Sequence, residues 1–391
     1  MDFSRLCINC MKEKEPEQNI CPHCHFDQST YVMPPYVLTP YTVLNGRYLV
    51  GKVLGKGGFG ITYIAMDMML ERVVAIKEFF VQGYMYRDNS TSTSISVSTS
   101  AGDSQEQYYR LNREKFEREA KIIAHLDDLT GIVKVYDFFY ENDTVYMVLE
   151  YLDGINLKEY VKAQGGKLNV NEVTSKLNSV MSSLQNLHEH GILHRDISPD
   201  NIMICNNGSV KILDFGGARD YIFSNEKSLS IMLKPGYAPE EQYRTHGNQG
   251  PWTDVYALCA TMYRCITGSV PPESLERAYQ ESLPPIRSIS PDCPPAAAYA
   301  IEKGMSIYPE DRFQSMQELY SALYESSESF SDMPEPQKRS KRKGLNIFLV
   351  ICLFVIAFIL VMYLTRDQVL TINISAKTET TDFISQADIR S

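Results

Sequence analysis

His194-Arg195-Asp196-Ile197-Ser198-Pro199-Asp200-Asn201 is the stretch on which the reading of this chain turns. A carboxylate at Asp196 and a carboxamide at Asn201 stand five residues apart, with Pro199 between them. The first can accept a proton, and the second offers a neutral oxygen of the kind hard cations take. What such a stretch does depends on the charged groups that the rest of the chain brings to it.

The chain has 391 residues, 44% hydrophobic and 22% charged, which leaves room for one large globular domain with smaller additions. Its net charge of -10 argues against nucleic acid as the main partner. Nine cysteines, an odd number, together with a Met1–Arg5 start that has no apolar run, argue against a secreted disulfide framework. Four of them crowd residues 1–25 as Cys7-x-x-Cys10 and Cys21-x-x-Cys24, separated by ten residues. Four thiolates on two tight turns can close a tetrahedral Zn²⁺ site, and so short a segment needs such a staple to fold. A redox pair at Cys21-Pro22-His23-Cys24 is the alternative, but it requires a βαβ unit for which there is no space. His23 and His25 are spare ligands beside a complete cysteine set. The module reads as structural or partner-binding.

Residues 26–46, with Pro34, Pro35 and Pro40, read as an extended linker. From Arg47 onward the pattern is β-type. Residues 90–104 are a Ser/Thr-rich, low-complexity insertion, expected to be mobile for want of apolar side chains. An amphipathic helix follows, with Phe116, Ala120, Ile123 and Ala124 on one face, and then paired strands over 132–152. Helical patterns dominate from about residue 157 to residue 325. Residues 326–344 turn basic at Lys338, Arg339, Lys341, Arg342 and Lys343. Residues 345–364 are apolar and uncharged, and as a helix would span about 30 Å, the hydrocarbon thickness of a bilayer. Basic residues on the N-terminal side place residues 1–344 in the cytoplasm, which predicts a single-pass cell-membrane protein. The tail, 365–391, is too short for an ordinary sensor domain.

Gly55-Lys56-Gly57-Gly58-Phe59-Gly60 has a phosphate-loop form shared by unrelated folds, but Ile61-Thr62-Tyr63-Ile64-Ala65 continues it as a strand rather than a helix. Val74-Ala75-Ile76-Lys77 follows, and Asp214-Phe215-Gly216 lies 18 residues after Asp196. Taken in order with the opening stretch, these motifs make residues 47–325 resemble a protein-kinase domain. The resemblance is to membrane-anchored bacterial Ser/Thr kinases of the eukaryotic-like family, here with an N-terminal zinc ribbon. It implies an α+β, two-lobed fold. Tyr146–Leu152 resembles the hinge and Gly236-Tyr237-Ala238-Pro239-Glu240 the end of the activation segment. Asp254 resembles the helix residue that braces the catalytic loop. Arg312 resembles the late arginine that pairs with Glu240, or with Glu241 if the alignment moves by one residue.

The resemblance implies ATP and Mg²⁺ as cofactors, beside the structural Zn²⁺. It makes Asp196 the base that takes the substrate hydroxyl proton, and Asn201 and Asp214 the Mg²⁺ ligands. Lys77 would hold the α/β-phosphates and pair with Glu119, for which Glu114 and Glu117 compete. Gly55, Gly57, Gly58 and Gly60 would lie over the phosphates, and Thr62, where kinases usually carry Val, would roof the adenine. Ala75, Met203 and backbone groups of Glu150 and Leu152 complete the implied nucleotide site, with Leu149 as gatekeeper. Pro199 favours Ser/Thr over Tyr as acceptor. The implied partners are Ser/Thr-bearing proteins, the chain itself by autophosphorylation, and the lipid bilayer; no nucleic acid is expected.

Two positions depart from that family. Ser198 replaces the usual catalytic-loop Lys that touches the γ-phosphate, and Lys234 stands where a Thr is usual. The two roles are read as exchanged, with Lys234 delivering the ammonium and Ser198 the hydroxyl, because electrostatics needs a cation at a point in space rather than at a sequence position. A solvent-facing Lys234 is the alternative. Ser224, Ser228 and Ser230 are candidate phosphorylation sites, with Arg195 a candidate phosphate ligand. The rival to an active transferase is a membrane-tethered pseudokinase scaffold, favoured by Ser198 alone.

Overall fold

Alternating apolar residues between Tyr48 and Phe79 form three consecutive antiparallel strands, and their buried faces close over one apolar core. The computed structural model describes residues 3–89, 92–97, 103–126, 129–215, 219–220, 233–244 and 247–324. The apolar run 345–364, its basic flank, the tail, Gly216 and the serines at 224, 228 and 230 lie outside the described residues. No helix among the described residues is long and apolar enough to cross a membrane.

The strands are β1 (Val43–Leu44), β2 (Tyr48–Lys56), β3 (Gly60–Asp67), β4 (Arg72–Phe79), β5 (Met85–Tyr86), β6 (Ser96–Val97), β7 (Val135–Glu141) and β8 (Thr144–Glu150). Six of them form one sheet in the order β1-β2-β3-β4-β8-β7. Helix α1 (Asp103–Ala124) packs its Phe116, Ala120 and Ile123 into the same core. This is the smaller, β-rich lobe.

The larger lobe is helical. Its helices include α2 (Leu157–Ala163), α3 (Val170–Glu189), α4 (Glu240–Tyr243), α5 (Pro251–Thr267), α6 (Ser274–Tyr279), α7 (Ile286–Ile289), α8 (Pro295–Gly304) and α9 (Met316–Tyr324). In α3, Val173, Leu177, Val180, Leu184 and Leu187 recur at helical spacing and are buried, and the Asn169 side chain accepts the Glu172 N–H at 2.9 Å to cap it. Helix α5 is apolar on nearly every side and runs buried through the lobe. A small sheet of β9 (Gly154–Asn156), β11 (Ile202–Cys205) and β12 (Val210–Ile212) lies in the order β12-β11-β9, while β10 (Ile192–Leu193) pairs with β13 (Arg219–Asp220). The turns that flank these short strands carry the site.

Within the Ser/Thr-rich insertion, residues 92–97 and 103–104 are among the described residues. Residues 92–97 fold back so that β6 pairs with β5, and Ile95 is buried. The reason lies just before it. Arg87 is buried, forms an ion pair with the buried Glu78 and donates Nε to the Thr93 carbonyl at 2.6 Å. Tyr63 and Tyr146 donate their hydroxyls to the same Glu78 carboxylate, each at 2.7 Å. One buried apolar side chain and one buried charge network therefore hold residues 92–97 in place. Residues 26–46 are likewise packed rather than free: Val37 and Leu38 are fully buried, and the Leu38 N–H donates to the Tyr63 hydroxyl at 3.1 Å.

Candidate active site

The loop 194–201 is held from below by one buried carboxylate. Asp254, in the first turn of α5, accepts the N–H groups of His194 at 2.9 Å and Arg195 at 2.8 Å, and His188 Nε2 at 2.8 Å. Burial opposes its ionisation, yet these donors hold Asp254 below the usual carboxylate range. Arg195 (φ 67°) and Asp214 (φ 58°) both occupy the left-handed region, a conformation that residues with a Cβ keep only when their surroundings enforce it. Burial depresses the His194 pKa, so its ring is neutral. Its Nε2–H donates to the Leu213 carbonyl at 3.1 Å, and Nδ1 accepts the Asp196 N–H at 3.3 Å. Phe215 is buried edge-on to that ring, with centroids 4.8 Å apart. The loop before Asn201 and the turn after β12 are thus tied together through one imidazole.

Lys77, on β4, meets Glu119 of α1 at 2.7 Å and Asp214 at 3.3 Å. The competing acids are placed elsewhere: Glu117 pairs with Arg113 on the same helix and Glu114 is exposed. Burial works against the Lys77 ammonium, but Asp214 and Glu119 outweigh it and hold the group above the ordinary lysine range. Burial pushes the Glu119 carboxyl up, against the pull of Lys77. Asn201 donates Nδ2 to both the carbonyl and Oδ2 of Asp196, each at 2.8 Å. Burial raises the Asp196 carboxyl to about 6, with Lys234 acting in the opposite direction. Lys234 places its ammonium 2.8 Å from Ser198 Oγ and 3.8 Å from Asp196 Oδ1.

The glycine turn between β2 and β3 folds tightly: Gly57 N–H donates to the Gly60 carbonyl at 2.8 Å and Gln82 N–H to the Gly58 carbonyl at 3.0 Å. Gly55 pairs across to Thr62, Thr62 to Lys77, and Ala75 to Leu149, so these positions share one stretch of sheet. Glu150 N–H donates to the Lys134 carbonyl at 2.9 Å. Its side chain pairs with Lys211 at 2.6 Å. Met203 lies on β11 opposite Lys211 and Asn156, and Leu152 follows β8 in the connection to β9. Arg312 grips Glu241, not Glu240, through two bonds of 2.7 and 2.9 Å; Glu240 turns to Arg244 instead.

The four N-terminal cysteines converge, with their sulfurs within 4.8 Å of one another. Cys7 to Cys24 and Cys10 to Cys21 are each 3.7 Å, too long for a disulfide and close to the edge of a tetrahedron built on metal–sulfur bonds of about 2.3 Å. The two halves repeat one turn: Met11 N–H donates to the Cys7 carbonyl and His25 N–H to the Cys21 carbonyl, with Met11 and His25 at φ 57° and 58°. Asn9 donates to Cys7 and Cys24 sulfurs, as thiolate ligands favour. His23 is spent on the Glu13 carbonyl at 3.0 Å and does not join the cluster. The module rests on β2, where Lys52 N–H donates to the Ile8 carbonyl at 2.8 Å. Gly51 permits this approach, since a Cβ there would overlap Met11 and Ile8.

Sequence reading missed His188 beneath Asp254, the Gln242 side chain that donates to the Arg195 carbonyl at 2.9 Å, and the Arg87–Glu78 pair. His188 and Gln242 make their contacts across 66 and 47 residues of chain, whereas Arg87 and Glu78 stand nine residues apart with no motif to mark them as a pair.

A model of the protein kinase domain matches residues 48–319. The chain is 29% identical over 283 residues to the serine/threonine-protein kinase PrkC of Bacillus subtilis, covering 71% of this chain and 40% of the relative. It is 30% identical over 292 residues to the probable serine/threonine-protein kinase CA_C1728 of Clostridium acetobutylicum, covering 72% and 40%. It thus spans less than half the length of these curated relatives. Among solved structures, "PpkA-294 apo form" superimposes with a TM-score of 0.65 at 34% identity, over 74% of this chain and 99% of that one.

Proposed function

The chain belongs to the protein kinase domain family, and from that premise we propose that it transfers the γ-phosphoryl group of ATP to serine or threonine hydroxyls of proteins, its own included. The observation that carries this is the placement of two hydrogen-bonded sets, Lys77 with Glu119 and Asp214, and Asn201 with Asp196, joined where the Leu213 N–H donates to the Asn201 carbonyl at 2.8 Å. Lys77 holds the α/β-phosphates and is itself held by Glu119. Asn201 and Asp214 offer the amide and carboxylate oxygens that suit Mg²⁺, which when bound neutralises phosphate charge. Asp196 accepts the hydroxyl proton as the acceptor oxygen bonds to phosphorus and the bond to the ADP oxygen breaks. The full set favours an active transferase over a pseudokinase scaffold. Incubating the full chain with γ-labelled ATP, Mg²⁺ and a generic protein should label serine or threonine; label confined to tyrosine, or none at all, would sink the reading.

The cysteine cluster is the proposed Zn²⁺ site. Its sulfur spacing and the paired Asn9 donors support it. Because the module braces the strand that leads into the glycine turn, removing the metal should also loosen the nucleotide site. Chelation is expected to release one zinc per chain and to raise KM for ATP by about threefold to tenfold with little change in kcat, a loss of ground-state binding. Protein purified without any bound metal would refute the assignment. Residues 345–364 are the proposed bilayer anchor, with the kinase domain on the cytoplasmic side. Deleting that run should move the chain from the membrane to the soluble fraction.

A further inference from the structure

Ser198, two residues after Asp196, is fully buried and carries no charge of its own. Its hydroxyl oxygen accepts a hydrogen bond from Lys234 Nζ at 2.8 Å. The same ammonium lies 3.8 Å from Asp196 Oδ1 and 4.0 Å from Asp200 Oδ2. Among the described residues Lys234 is the one cation within 4.0 Å of Asp196. A carboxylate beside an incoming polyphosphate repels it unless a cation stands between them, and Lys234 occupies that place.

The lysine is mounted firmly. Its carbonyl accepts the N–H groups of Tyr237 and Ala238, both at 3.1 Å, which closes a turn over Pro235 and Gly236. Gly236 has φ 83°, and a Cβ there would press on the Pro271 carbonyl at 2.6 Å. Ser274 Oγ donates to the Ala238 carbonyl at 2.8 Å, and Glu241 is gripped by Arg312. The turn is therefore fixed to the helical lobe on the C-terminal side of Lys234.

From this geometry we infer that Lys234 is a catalytic residue whose ammonium contacts the transferring γ-phosphoryl group, and that Ser198 is the positioning residue that aims it. The inference rests on the kinase reading above and deepens it. In the transfer, the acceptor oxygen bonds to phosphorus, the bond to the β-phosphate oxygen breaks, and the acceptor proton passes to Asp196. Lys234 balances the charge on the moving group and exchanges no proton. One consequence is conformational. The catalytic cation comes from the 233–238 turn and not from the loop that carries the base, so the site is complete only when that turn is seated.

The test is a two-by-two exchange in the full chain, measured as peptide phosphorylation. Lys234→Thr should lower kcat about 100-fold while KM for ATP changes less than threefold. Ser198→Lys alone places two ammonium groups together and should also be impaired. Ser198→Lys with Lys234→Thr rebuilds a cation at the same point and should return kcat to within about tenfold of the parent. A Lys234→Thr protein with parental kcat, or a double variant no better than Lys234→Thr, overturns the exchange and leaves the kinase reading intact. A parent chain that transfers no phosphoryl group overturns both.

Discussion

Replacing Asp196 by Asn should lower the phosphorylation rate by about 10²- to 10⁴-fold, the range for loss of a positioned base. The substitution keeps a side chain that can still meet Asn201, so the loop geometry has no reason to collapse. The pH profile sharpens the prediction. Asp196 is raised to about 6 by burial, with Asp214 and Asp200 adding to the rise and Lys234 opposing it. The parent rate should therefore fall as pH drops through about 6 and reach its plateau above it. The stability sign runs the other way. A carboxyl whose folded value lies above the unfolded 3.8 contributes stability below that value and loses the contribution as pH rises through about 6. At pH 7.5 the ionised Asp196 thus favours activity at the expense of folding. Asp196→Asn should consequently lose activity without losing Tm, whereas a merely structural aspartate would lose both. A variant that keeps more than about a tenth of the parental rate would remove Asp196 from the role of base.

The grouping of the candidate site residues was legible because each motif is short and its chemistry demands particular residue types. Val74-Ala75-Ile76-Lys77 becomes β4, and the loop 194–201 lies where Asp254 can reach its backbone. Glu119 was legible only in part. Three acids compete on α1, and the choice among them is made by which face of the helix meets Lys77. The partner of Arg312 was left between Glu240 and Glu241 for the same reason, since the first turn of a short helix points adjacent residues in different directions. How residues 92–97 are held was not legible, because composition counts apolar residues but not the one charge that reaches the Thr93 carbonyl. Arg87 lies outside the low-complexity stretch, and its partner Glu78 lies inside a strand that already looked explained by Lys77.

That buried pair should be the strongest single support of the smaller lobe. Glu78 and Lys77 are neighbours on β4 and project to opposite faces, one into the buried network and one toward the cleft. Arg87→Met would leave the Glu78 carboxylate buried with two tyrosine hydroxyls and no cation. Removing one member of a buried pair costs about 3–5 kcal/mol, which for a domain of this size is a fall in Tm on the order of 10 °C. The loss should reach the active site through β4, as a weaker Lys77–Glu119 contact and a higher KM for ATP. Glu78→Gln combined with Arg87→Met removes the stranded charge while keeping an acceptor for Tyr63 and Tyr146, and should recover more than about half of the lost Tm. If Arg87→Met instead melts within about 2 °C of the parent, the β5–β6 pair is an ornament on the lobe and not one of its supports.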